Sequence, residues 1–117
     1  MQREKEIAMI AKKERGKQRM NSFGKREKVT EQKLVRAVKL RGGICPKFTS
    51  PGFDGMPDRL VLLPDGHLGF VEVKAEGEKP RLLQLARHRL LKSLGFKVYV
   101  LDAPEQIGGI LDGIQTT

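Results

Sequence analysis

The chain has 117 residues, enough for one hydrophobic core and too few for two, and 32% of them are charged. Lys and Arg number 23 against 14 Asp and Glu, a net charge of +9 that points to a polyanionic partner, although a basic but idle surface would give the same sum. The single cysteine, Cys45, excludes an internal disulfide; with only His67 and His88 beside it the composition argues against structural zinc, and no stretch reads as a membrane span or secretory signal, so a cytoplasmic protein is expected.

Residues 1–28 form a basic N-terminal arm with ten Lys/Arg and four acids, broken by an apolar knot at residues 7–11. The pattern predicts a partly helical arm, either a solvated tail or a segment lying on phosphates or gripping a second subunit. Its candidates for phosphate contact are Lys12, Lys13, Arg15, Lys17 and Arg19. Residues 29–117 read as the folded domain. Thr30 can cap a helix running to the Gly42-Gly43 stop, with Glu31, Leu34, Val35 and Val38 on one stripe. The Glu31 carboxylate then points the same way as the apolar face, where it serves a pocket or merely favours the helix dipole.

A short strand is expected near residues 44–48, followed by a flexible Gly- and Pro-rich run to Pro57. Cys45, between Ile44 and Pro46, reads as a small buried apolar residue rather than a nucleophile. Arg59 to Leu63 and His67 to Lys74 read as two further strands of a hairpin around Pro64-Asp65-Gly66. If Pro64 is the second residue of a type I turn and Gly66 is left-handed, the loop has three residues and Leu63 faces His67. Counting back from that pair sets Asp58 opposite Glu72 on the same face; a two-residue loop would turn Asp58 to the other face.

Pro80 suits the first turn of a helix that carries Leu82, Leu83, Leu85, Ala86, Leu90, Leu91 and Leu94 and stops at Gly95. Residues 96–101 read as a buried strand returned by a crossover, and residues 104–114 as a last helix. Arg81, Arg87, Arg89, Lys92 and His88 decorate the long helix as phosphate contacts or simply as its wet face. His67 closes the hairpin in the open. Five Phe and one Tyr supply base-stacking platforms poorly, so contacts to backbone and shape are the better expectation.

Asp58 and Glu72 offer hard oxygens of the kind Mg²⁺ or Mn²⁺ prefers, and the Val73 carbonyl lies between Glu72 and Lys74. Glu31 would reach the same pocket directly or through water. Lys74 shares the pleat face of Glu72, so its ammonium can reach an attacking water or a phosphate. Such a set suits phosphodiester hydrolysis, whereas Glu-x-Lys alone is usually a solvated ion pair.

Gly55-Met56-Pro57-Asp58, Glu72-Val73-Lys74, Gln84 on the following helix and Glu31 on the preceding one together resemble the VRR-NUC family of the PD-(D/E)XK nuclease superfamily, over about residues 29–117. The resemblance implies an α/β fold with a restriction-endonuclease-like core, a mixed sheet flanked by helices in the order α-β-β-β-α-β-α. It implies divalent-metal-dependent DNA cleavage, with Asp58, Glu72 and the Val73 carbonyl as ligands of Mg²⁺ or Mn²⁺, Lys74 as the catalytic lysine, and Glu31 and Gln84 in support. Gln84 could equally be a helix-surface amide. Compact stand-alone members of bacteria and phages are thought of as homodimers that resolve four-way (Holliday) junctions, which makes branched DNA the expected substrate. Two rival readings remain at this stage: a nonenzymatic DNA-binding module with a nuclease fold, and a nuclease that nicks or cuts ordinary duplex.

Overall fold

The structure, a computed structural model, describes residues 22–116. Lys12, Lys13, Arg15, Lys17, Arg19 and the apolar knot lie outside the described residues. Helix α1 spans Ser22–Leu40, so it does not begin at Thr30. Thr30 is buried inside the helix, and its Oγ1 donates to the Arg26 carbonyl one turn back at 3.2 Å. A threonine hydroxyl that bonds backward within the helix leaves no cap to make, and the chain runs through positions 28 and 29 without a break. The predicted stop holds: Gly42 is left-handed (φ 86°) and the Gly43 N–H bonds the Val38 carbonyl.

Strand β1, Arg59–Leu63, pairs antiparallel with β2, His67–Val73, and Leu63 stands opposite His67 as the three-residue loop requires. The turn itself differs from the expected type I form, because Asp65 (φ 67°) is left-handed as well as Gly66 (φ 76°). Aspartate tolerates that region, so the loop length and register survive the change. The strand expected at residues 44–48 is reduced to two bridges, Ile44 to Leu62 and Lys47 to Arg59. Pro46 accepts from the Leu60 N–H but has no N–H of its own, which breaks the ladder.

Helix α2, Leu82–Ser93, carries the chain over to β3, Lys97–Leu101, which runs parallel to β2 with Val100 opposite Glu72. Pro80 precedes the capping residue Arg81 rather than sitting in the helix. A single tight turn at Pro104–Gln106 then leads into α3, Ile107–Gln115. The result is a mixed sheet in the order β1-β2-β3 with helices on both faces.

Strand alternation splits the interior in two. Val61, Leu63, Val71 and Val73 face Leu34 and Val38 of α1 and Ile110, Leu111 and Ile114 of α3. Phe70 and Val98 face Leu91 of α2, with Phe48, Met56 and Leu60 packed alongside. The second layer is thin, and α2 sits on it with an unexpected face. Its buried residues are Gln84, His88 and Leu91, whereas Leu82, Leu83, Leu85, Leu90 and Leu94 are exposed. The leucine count therefore misreads this helix, and His88 belongs to its buried face rather than its wet one. Strand β3 is an edge strand, so Val98 and Leu101 are buried but Val100 is not. Among the described residues no helix is long and apolar enough to cross a membrane.

Candidate active site

The hairpin ladder ends at Arg59 opposite Val71, which leaves Asp58 at its open end. There the Asp58 Oδ2 accepts the Val73 N–H at 2.9 Å, tying the residue before β1 to the last residue of β2. Glu72, one residue back on β2, is only 1% exposed and points toward α2. Its Oε2 accepts from Gln84 Nε2 at 3.1 Å and lies 3.8 Å from Lys74 Nζ. Its Oε1 lies 3.7 Å from His88 Nε2. Gln84 is held in turn, because its Oε1 accepts the Arg81 N–H at 2.8 Å at the start of α2. Gln84 is thus no surface amide: its two ends join the helix start to the carboxylate.

Burial pushes the Glu72 carboxyl up from 4.5 to about 8; the neighbouring Asp58 carboxyl and, more weakly, Glu27 act the same way, while Lys74 opposes them. Glu72 is thus held protonated chiefly by its burial, with the Asp58 carboxyl close by. Burial also lowers the pKa of His88, helped by Lys92 and Lys74 and opposed by Asp58.

Glu31 is engaged elsewhere. Its Oε1 accepts from Arg59 Nη2 at 3.0 Å, and Arg59 Nη1 also donates to the Cys45 carbonyl at 2.8 Å. Arg59 follows Asp58 and so projects to the opposite face, the one α1 covers. The α1 acid that does feel Asp58 and Lys74 is Glu27, one turn before Glu31. Its carboxyl is pushed up to about 7 by burial first and then by Asp58, Glu78 and Glu31, against Lys74. The sequence reading missed Glu27 because a helix capped at Thr30 stops short of it. Its spacing to Glu31, Leu34 and Val38 was the available signal.

No family model matches the chain. A curated phage protein does, named "Putative nuclease p44" in Acyrthosiphon pisum secondary endosymbiont phage 1; it is 49% identical over 89 residues, which are 76% of this chain and 95% of that protein. A solved structure described as "VRR_NUC domain" superposes with a TM-score of 0.70 at 31% identity, covering 74% of this chain and 95% of its own. The chain belongs to the VRR-NUC family.

For a VRR-NUC chain the implied cofactor is a divalent metal. Among the described residues no group of three or more His, Cys, Asp or Glu side chains is placed to hold a metal ion. The expected convergence of three acids is therefore reduced to two carboxylates, since Glu31 is spent on Arg59. Those two still fit a hard cation. Glu72 Oε1 is buried with no hydrogen-bond partner, and a cation there would offset the burial and the Asp58 charge that keep Glu72 protonated. Val73 adds a carbonyl on the side where its N–H meets Asp58, because a strand residue turns both groups to one edge.

The remaining candidates of this VRR-NUC domain fall into two groups. Arg81 is exposed beside the site, whereas Arg87 is occupied: its Nε donates to the Asp54 carbonyl at 2.8 Å and its guanidinium lies 3.8 Å over the Phe53 ring. Arg87 therefore pins the loop that leads into Pro57-Asp58. Cys45 is buried as expected, its thiol pushed up to about 11 chiefly by burial, which rules it out as a nucleophile. His67 is half-buried rather than open.

Proposed function

We propose that this protein is a divalent-metal-dependent, structure-selective DNA endonuclease that cuts branched DNA such as four-way (Holliday) junctions as a homodimer, in the cytoplasm of a bacterium or phage-infected host. The observation that carries the reading is the Asp58–Glu72 carboxylate pair with the Lys74 ammonium 3.8 Å from Glu72. Asp58, Glu72 and the Val73 carbonyl would hold Mg²⁺ or Mn²⁺, which when bound supplies Lewis acidity toward water and neutralises charge on the phosphoryl oxygens.

The chain's own groups do the rest. Lys74 donates to the nonbridging oxygen or to the attacking water from a position shared with Glu72 and Glu78. Gln84 fixes the Glu72 carboxylate through its own tie to the helix start. Glu27, titrating at about 7, suits a group that accepts a proton near neutral pH. Glu31 supports from behind the sheet by anchoring Arg59, the residue next to Asp58. Arg81 and the basic arm with Lys12, Lys13, Arg15, Lys17 and Arg19 contact phosphates, in keeping with the net charge of +9. Exposed Leu82, Leu83, Leu85, Leu90 and Leu94 give α2 an apolar row of the kind a second copy covers.

Labelled four-way junctions, flaps and linear duplex, each incubated with Mg²⁺ or Mn²⁺, test the proposal. Cleavage of the junction in preference to duplex is expected. Intact substrates throughout would end the enzyme reading, and equal cutting of duplex and junction would end structure selectivity.

A further inference from the structure

Helix α2 buries two polar side chains one turn apart, Gln84 and His88, while Leu82, Leu83, Leu85 and Leu90 are exposed. Burying an imidazole and an amide is unfavourable unless each meets a partner. Gln84 has met Glu72 Oε2. His88, with a side chain 6% exposed, aims its Nε2 at the other oxygen of the same carboxylate from 3.7 Å. Both of these facing atoms, Glu72 Oε1 and His88 Nε2, are buried without a hydrogen-bond partner. Two buried, orphaned groups of complementary type that face each other form an incomplete bond.

We propose that His88 is a positioning residue for Glu72, its Nε2–H donating to Oε1 once that carboxylate holds a cation. A movement of under about 1 Å would bring the pair to bonding distance. A carboxylate oxygen has two lone pairs, so Oε1 can accept from His88 and still face a metal. The two donors of α2 would then hold both oxygens of one ligand, fixing the carboxylate plane as outer partners of metal ligands do. This rests on the metal-dependent reading above.

The test measures Mn²⁺ binding to the full chain without DNA, for wild type, His88→Gln and His88→Leu. Glutamine keeps a donor near the position of Nε2, and leucine keeps bulk without one. We expect His88→Leu to weaken Mn²⁺ binding by about 10- to 100-fold and His88→Gln to stay within a few-fold of wild type. Wild-type affinity in a folded His88→Leu, or equal losses in both variants, overturns the role of His88 while leaving the metal reading intact. Absence of binding by wild type sinks the metal reading and this inference with it. Wild-type protein gives a check that needs no variant: on titration with Mg²⁺ the His88 Nε2–H proton should shift downfield, and an unmoved signal overturns the proposal.

Discussion

Glu31 and Glu72 stand on opposite faces of the sheet: Glu31 reaches Arg59 at 3.0 Å on the α1 side, and Glu72 reaches Gln84 at 3.1 Å on the α2 side. Only at the end of the sheet, past Asp58, can an α1 carboxylate influence the pocket, and there the helix presents Glu27. The two glutamates of α1 therefore have different surroundings, Glu27 among the charges of Asp58, Glu78 and Lys74 and Glu31 bonded to Arg59.

Glu27→Gln should lower cleavage by at least about tenfold while leaving the melting temperature near wild type, because it removes a proton acceptor from a half-buried position. Glu31→Gln should instead lower stability by about 1–3 kcal/mol through the weakened Arg59 tie and retain most activity. Denaturant titration and initial rates on both variants decide it. The opposite pattern would restore Glu31 to the pocket.

Asp58→Asn keeps an oxygen for the Val73 N–H but removes the charge. Cleavage should fall by about a hundredfold or more, with DNA binding in a gel-shift assay unchanged. A variant that still cuts at the wild-type rate would show that Asp58 holds no metal.

The metal-free protein should lose stability as pH rises. Glu72 keeps its proton in the fold up to about 8, whereas in the unfolded chain it titrates at an ordinary 4.5, so its contribution is full below the lower value and gone above the higher one. Glu27, raised to about 7, adds in the same direction. Melting temperatures measured in chelator should fall from about pH 5 to about pH 9, and a rise over that interval would contradict the assignment. Mg²⁺ binding at neutral pH should in turn release about one proton, read by calorimetry in buffers of different ionisation enthalpy.

If the leucine row of α2 is covered by a second copy, a charge placed in it should separate the subunits. Leu90 and Leu94 are exposed, at 41% and 64%, so Leu90→Glu with Leu94→Glu should leave the fold intact. Light scattering should report a dimer for wild type and a monomer for the double variant. A wild-type monomer at micromolar concentration would remove the two-fold arrangement.

Much of the site was legible because its spacing is local. Pro64-Asp65-Gly66 fixed a three-residue loop, and from Leu63 opposite His67 the alternation of two strands brought Asp58 beside Glu72 whatever else packed around them. Even the wrong turn type left that register unharmed. Glu31 shows where such reasoning stops: its stripe on α1 was read correctly, yet a stripe does not say which face of the sheet it will meet.

Sequence alone thus determined the hairpin, the crossover to β3, the order of elements apart from the strand expected at residues 44–48, the excess of basic charge and the approach of Asp58 to Glu72, since each follows from local periodicity or composition. Tertiary packing decided which side of α2 is inside, burying Gln84, His88 and Leu91 and leaving its other leucines outward. It also decided that Arg59 claims Glu31 and that Glu27 is half-buried among the charges of Asp58, Glu78 and Lys74. The reason is geometric: a helix rich in leucine has several apolar stripes to choose from, and a buried carboxylate such as Glu72 selects the stripe that brings donors to its oxygens.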